Sequence, residues 1–335
     1  GGDWCFGATD DDGGTLVDSP PSEYAAASAN DVAASLESLG PPSVAGPPRS
    51  YGLGSWRKEA SAPVTPADVA TPIAPEGGGS SATTRPQLRR RPIVAGNWKL
   101  NPATKGEAIT LLKLLAANFV NHRDDAISAL SGAPEAVIFP PLPYVADAVC
   151  ILEGSGIQVG AQNVGCNEKG AFTGEIAPSM LVSSGCSYVL LGHSERRTIF
   201  GETDAHVNAC LRKCLEQPAL RIILCVGETL REYEGGMLER VVDAQIRGGL
   251  DGIDVGVLMA DRVVIAYEPV WAIGTGLVAT PDQAQAAHVA IRNSLSNHYG
   301  SEEVGASVRI QYGGSVTPES TEQLMGEVDV DGALV

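Results

Sequence analysis

Four short stretches carry residue types that suit proton transfer. One ends a β-branched run, 262–267, with Glu268. A carboxylate at the C-terminal tip of a buried strand is expensive unless the molecule uses it. Pro269 stops the strand at once, having no N–H for the ladder. An apolar tip follows, Val270, Trp271, Ala272 and Ile273, and then Gly274 and Gly276. Apolar tip plus glycines describes a lid, which excludes water when shut and absorbs backbone change when it moves. The plain alternative is a surface loop with a stray Glu, against which Trp and Ile at the tip argue. The other stretches are Asn97-Trp98-Lys99, Gly192-His193-Ser194-Glu195-Arg196-Arg197 and Tyr312-Gly313-Gly314-Ser315. An ammonium, an imidazole, a carboxylate and a glycine-rich backbone together match proton abstraction beside the carbonyl of a phosphorylated substrate.

These stretches need elements to hold them. From Pro92 short β-branched runs alternate with helical patterns. Strands are predicted at 92–96, 136–139, 157–161, 188–191, 221–226, 262–267, 307–311 and 330–335. Helices are predicted at 104–120, 143–152, 204–216, 237–248, 280–298 and 318–325. The first has Leu111, Leu112, Leu114 and Leu115 as its apolar stripe. Thr280 is an N-cap with Pro281 in the first turn. A short helix is expected to start at His193. The alternation implies right-handed β-α-β units on a parallel sheet. Eight strands and seven helices fit a closed (β/α)8 barrel of roughly 250 residues. A doubly wound open sheet is the alternative, but the unbroken alternation offers it no switch point. In such barrels the site lies at the C-terminal strand ends, and the four stretches follow strands one, four, six and seven.

Each candidate also has a plainer use. Lys99 can be a solvated charge, and His193 a core histidine satisfied by backbone. Glu195 can pair with Arg196, with Arg197, or with Lys99 across the barrel mouth. Gly313 and Gly314 form either an ordinary turn or a nest of N–H groups for phosphate, with Ser315 adding a donor.

Composition bounds the rest. The 335 residues carry 23 Lys+Arg against 40 Asp+Glu, net −17. That argues against non-specific nucleic-acid binding, which needs a basic face, but leaves room for a locally positive anion site. Seven cysteines, an odd number with no Cys-x-x-Cys, indicate neither a disulfide framework nor a zinc site. They fit a reducing compartment, the cytoplasm or alternatively the plastid stroma. No apolar run reaches the ~18 residues of a membrane span. Residues 1–91 differ from the remainder: Gly, Pro, Ser, Ala and Thr dominate, and a disordered low-complexity extension is expected. A weak helix at 24–39 is the only element it suggests. Its charge is split, with eight acids and no Lys or Arg in 1–48, then seven Lys+Arg and three acids in 49–91. The basic half is compatible with the end of a transit peptide.

The four segments closely resemble triosephosphate isomerase, as does the run Gln162-Asn163-Val164-Gly165 through Phe172-Thr173-Gly174-Glu175. The resemblance covers 92–335 and implies a TIM barrel that interconverts dihydroxyacetone phosphate and D-glyceraldehyde 3-phosphate in glycolysis or gluconeogenesis. It implies Glu268 as the base, and His193 as a neutral electrophile, the family's histidine being kept neutral by a helix N-terminus. It implies Lys99 as the group that stabilises the enediolate and attracts phosphate, with Asn97 positioning it. Gly274 and Ser315 are implied as phosphate ligands, with Gly313 and Gly314 beside them and Ser194 and Glu195 as supports. No cofactor and no metal are implied. A homodimer is, one protomer's Thr173 lying near Asn97 and Lys99 of the other. Two departures stand out. The family pattern continues past strand eight with a phosphate-binding Gly-Gly and a last helix, so the resemblance leads us to expect that the sequence is a fragment. Leu277 stands after the lid where the family commonly has Lys. Another phosphosugar isomerase and a non-catalytic scaffold are the competing readings.

Overall fold

Inward-facing residues of eight strands meet in a narrow core, and the strands close round it. They are β1 (Ile93–Asn97), β2 (Glu135–Phe139), β3 (Ile157–Ala161), β4 (Tyr188–Leu191), β5 (Arg221–Val226), β6 (Val263–Tyr267), β7 (Ile310–Tyr312) and β8 (Gly332–Leu334). They form one closed parallel barrel in chain order, β8 returning to β1 with Ile93 opposite Gly332. This computed structural model describes residues 90–129, 134–273, 279–316 and 318–335, without the side chains of 120–129 and 318–319. The extension 1–89, with its expected weak helix, and Gly274, Gly276 and Leu277 lie outside the described residues.

Alternate positions on each strand point opposite ways. One set fills the barrel: Ile93, Ala95, Val137, Phe139, Tyr188, Leu190, Ile223, Cys225, Val264, Ala266 and Leu334. The other set packs outward against the helices in a larger core. Both faces are apolar, as a parallel sheet covered by helices requires.

The helices are α1 (Lys105–Ala129), α2 (Val145–Leu152), α3 (Pro178–Ser183), α4 (Ser194–Phe200), α5 (Asp204–Leu215), α6 (Leu230–Glu234), α7 (Leu238–Gly249), α8 (Val255–Met259), α9 (Pro281–Tyr299), α10 (Glu302–Ser307) and α11 (Pro318–Met325). Seven were expected, and eleven occur among the described residues. The extra ones, α3, α6, α8 and α10, have five or six residues, too short to show a periodic apolar face in sequence. One of them, α10, takes Ser307, so β7 starts at Ile310 instead of Ser307. In α1, Leu112 is buried and Leu115 packs on the core, while Leu111 and Leu114 are exposed. Four residues that close in sequence span too much of the helix circumference to share one face. Thr280 caps α9 by accepting from Gln283 N, with Pro281 in the first turn.

The N-terminal mouth is plugged by charge. Arg309 bonds Glu135 Oε2 at 2.7 Å and both oxygens of Asp261, at 2.7 and 2.8 Å. Arg221 reaches Glu135 Oε1 at 2.8 Å. Burial pushes the Glu135 carboxyl up, but the hydrogen bond and charge of Arg309, with Arg221, outweigh it and hold it below the usual carboxylate range. A second network joins α9 to the chain before β8: Arg292 bonds Asp329 Oδ1 at 2.6 Å and Asp331 Oδ2 at 2.7 Å. Arg90, assigned by sequence to the extension, bonds Asp331 Oδ1 at 2.5 Å and Ala306 O at 2.8 Å, so Arg90 packs with the barrel.

His288 on α9 lies against this second network, fully buried, with Nδ1 3.0 Å from Asp329 O. Burial lowers its pKa from 6.5 to about 4. The unfolded chain therefore binds a proton that the folded chain refuses. Stability from this group is complete above about pH 6.5 and falls on acidification towards pH 4, by about 3 kcal/mol in all. Replacing His288 with Gln removes that term. Urea unfolding at about pH 7 and about pH 4 should show the stability gap between wild type and His288→Gln shifting by about 2–3 kcal/mol in the variant's favour at the lower pH. A gap that does not change with pH would contradict the assignment.

Candidate active site

The C-terminal mouth is open where the other is plugged. A cleft of about 310 Å³ there is lined by Asn97, Lys99, His193, Glu268, Gly313, Gly314 and Ser315, with the apolar Ile273, Val316 and Leu334. Of the sequence candidates, only Gly274 lies outside the described residues. Ser194 and Glu195 stand just behind the wall, on α4.

Glu268 follows β6 directly and is only 2% exposed. Its backbone continues the ladder, Glu268 N donating to Val226 O at 2.7 Å. Oε2 accepts from Ser194 N at 2.7 Å. Ser194 is the first residue of α4, so that N–H has no partner within the helix. Oε1 lies 3.1 Å from His193 Nε2. The alignment fails as a hydrogen bond, and among the described residues Oε1 has no hydrogen-bond partner. One carboxylate oxygen is thus anchored, and the other is bare beside the cleft.

His193 is the N-cap of α4, and its Nδ1 accepts from Glu195 N at 3.3 Å. A nitrogen that accepts carries no proton. The imidazole in this arrangement is neutral, with its proton on Nε2, the atom that faces Glu268.

Lys99 sits in the left-handed region at φ 50°, a costly conformation for a residue with a Cβ. Two side chains hold it there. Asn97 Oδ1 accepts from Lys99 N at 3.0 Å. Gln162 Nε2, on the loop after β3, donates to Lys99 O and Phe139 O, both at 2.8 Å. Lys99 Nζ pairs with Glu195 Oε1 at 2.8 Å. Of the three partners open to Glu195 in sequence, the structure selects Lys99; Arg196 goes to Glu202 and Arg197 to Asp204. This pair is about two-fifths exposed, so water screens it and either member is free to turn to an anion.

The two glycines after β7 are used differently. Gly313 N donates to Tyr267 O at 2.7 Å, so it belongs to the barrel ladder and not to an anion nest. A Cβ at Gly313 would lie 3.1 Å from Glu268 Cγ. Its service to the site is room for the carboxylate. Gly314 and Ser315 remain as the backbone facing the cleft, and Ser315 Oγ donates to Ala272 O at 3.2 Å, tying this loop to the start of the lid.

Two residues of the apolar run after Pro269 are withdrawn from water. Trp271 and Ala272 are buried, in a 3₁₀ turn at Val270–Ala272. Trp271 stacks on Tyr233 with ring centroids 4.1 Å apart. Its Nε1 donates to Glu228 Oε1 at 2.7 Å, where Tyr267 OH also donates at 2.9 Å. Burial raises the Glu228 carboxyl despite these donors. Sequence reasoning missed Glu228, although the rule that found Glu268 applies to it as well: a carboxylate just past a buried strand, here β5. It also missed Gly227. Gln245 bonds both its N–H and its C=O, at 2.7 and 3.1 Å. A Cβ there would lie 1.7 Å from Glu268 O. Away from the cleft, Cys166, His206 and Cys210 come together, a grouping invisible in a sequence with no metal-ligand spacing.

A closed parallel barrel that gathers an unpartnered carboxylate, a neutral imidazole and an ammonium at its C-terminal mouth defines a barrel enzyme of the proton-transferring isomerase class. Residues 92–335 match the family described as triosephosphate isomerase. The chain is 48% identical over 246 residues to the triosephosphate isomerase of Chloroflexus aurantiacus, covering 73% of this chain and 93% of the relative. Those of Moorella thermoacetica and Chlorobium phaeobacteroides are each 46% identical over 248 residues, covering 73% of this chain and 92% of the relative. The chain belongs to the triosephosphate isomerase family. No helix among the described residues is long and apolar enough to cross a membrane.

Because a side chain at Gly227 would collide with the backbone of Glu268, Gly227→Ala must move the carboxylate. A displacement of about 1 Å should cut isomerase turnover about 100-fold. Steady-state rates within a factor of two or so of wild type would refute the positioning role.

Proposed function

We propose that this chain interconverts dihydroxyacetone phosphate and D-glyceraldehyde 3-phosphate through an enediolate, without metal or organic cofactor. Glu268 takes the proton from carbon one and returns it to carbon two. His193 donates Nε2–H to the carbonyl and passes a proton between the two oxygens. Lys99 leaves Glu195 to neutralise the enediolate and draw in the phosphate, while Asn97 holds the Lys99 backbone. Ser315, Gly314 and the lid's Gly274 receive the phosphate. Ser194 holds the Glu268 carboxylate aimed until substrate arrives. The closed lid keeps water from the intermediate, which would otherwise expel its phosphate.

The observation that carries this reading is the bare Oε1 of buried Glu268, 3.1 Å from the proton-bearing nitrogen of His193. A buried carboxylate oxygen with no donor is destabilised, and a substrate C–H placed there relieves it by giving up a proton. Shortening the side chain should withdraw the base while leaving the barrel intact. Glu268→Asp is expected to lower turnover about 100- to 1,000-fold with an unchanged circular dichroism spectrum; near-normal turnover would refute the assignment.

The proposed active form is a homodimer in the cytoplasm, the plastid stroma being the alternative. Phe172 on the loop after β3 is 47% exposed, and Ile199 and Phe200 at the end of α4 are 71% and 66% exposed. Such side chains favour burial against a second copy. Four thiols, Cys186, Cys210, Cys214 and Cys225, are buried and unpaired, as a reducing compartment allows. Sedimentation should find a dimer at assay concentrations, and a fully active monomer would overturn the assembly.

A further inference from the structure

We propose that Cys166, His206 and Cys210 form a binding site for a borderline-soft divalent transition ion, zinc by preference. His206 and Cys210 stand four residues apart on one face of α5. Cys166 arrives from the loop after β3, whose base is pinned beside it by Gly165 N donating to Ile176 O at 2.9 Å. One ligand atom from each lies within 4.8 Å of the other two.

The spacing fits the ion. Zinc bonds of about 2.3 Å to sulfur and about 2.0 Å to nitrogen put a tetrahedral S···N edge at about 3.6 Å and an S···S edge at about 3.8 Å. Cys210 Sγ and His206 Nε2 are 3.6 Å apart. An S–H···N bond between those two accounts for that pair alone, and the second thiol, Cys166, accepts only a long 3.8 Å contact from its neighbour Asn167 Nδ2. The remaining adjustment, within about 1 Å, is a rotation of Cys166 on its loop.

The surroundings suit uptake. Cys210 is buried and Cys166 half-buried, while the His206 side chain is 43% exposed, so one side is walled and the other open. Glu202 Oε1 lies 3.9 Å from His206 Nε2 but is held by Arg196 at 2.6 Å. The fourth position therefore falls to water. Two thiolates and an imidazole select zinc over magnesium or calcium, which want oxygen. On binding, each thiol loses its proton to solvent and the imidazole gives the Nε2 lone pair: one ion enters, two protons leave, and nothing is oxidised or reduced. The bound ion would staple the loop carrying Phe172 to α5.

Cobalt(II), coloured in tetrahedral thiolate sites, is the probe. The full chain is used in a Cys5→Ser/Cys150→Ser background, which removes the tail thiol and the exposed one. The expected result is one cobalt per chain with sulfur-to-metal absorption, displaced by zinc with release of two protons. Cys166→Ser and His206→Ala should each weaken cobalt binding more than about tenfold. Neither residue touches the cleft, so retained turnover certifies that both variants fold. The proposal is overturned by no absorption at stoichiometric cobalt, by undiminished binding in Cys166→Ser, or by a Cys166–Cys210 disulfide in place of metal binding.

Discussion

A carboxylate removed from water at the end of a buried strand sets the terms for the rest of this molecule. Desolvating Glu268 costs several kcal/mol unless charge and hydrogen bonds answer it. The barrel supplies one answer only, the Ser194 N–H at the start of α4. Its second oxygen stays bare. Many neighbouring choices read as consequences. Gly227 lacks a side chain where a Cβ would strike the Glu268 backbone, and Gly313 where one would crowd its Cγ. His193, just past β4, has a cap geometry that fixes its tautomer and leaves Nε2 3.1 Å from the bare oxygen without a hydrogen bond to it. The surroundings crowd this carboxylate closely and still leave it poorly satisfied.

The two barrel mouths divide stability from chemistry. At the N-terminal mouth, Glu135, Arg221, Arg309 and Asp261 satisfy one another in a closed network. At the C-terminal mouth the charges are left unfinished: Lys99 holds Glu195 in a solvent-screened pair, and Glu268 keeps an open oxygen. Glu228 lies between the two regimes. It is as buried as Glu268, yet its Oε1 takes donors from Tyr267 and Trp271 and so fixes where the lid leaves the barrel. It stands one residue further past its strand than Glu268 does, and its surroundings differ because two side chains donate to it.

What was legible in the chain was whatever depends on neighbours in sequence. Apolar, β-branched runs and their stops located all eight strands, since a parallel strand buried on both faces must be apolar throughout. Strand ends carrying Lys99, His193 and Glu268 stood out because a charge beside such a run needs a reason. Local periodicity said less about short or crowded elements. It passed over α3, α6, α8 and α10, and it placed Leu111 and Leu114 on a face that holds only Leu112 and Leu115. The partner of Glu195 was open among three cations, and the glycine pair after β7 was open between turn and nest.

Only the closed barrel decided those questions, for a common reason. Distances across a barrel are set by strand register and closure, which no local pattern encodes. Register placed Lys99 opposite Glu195, put Gly313 N on Tyr267 O, and brought Gly227 against the Glu268 backbone. The same through-space logic assembled Cys166 with His206 and Cys210 across 40 residues of chain. The sequence by itself determined which residues have the right chemistry and at which strand ends they stand. The tertiary structure decided which atoms face each other, because hydrogen bonds and packing between distant strands fix those separations to within an ångström.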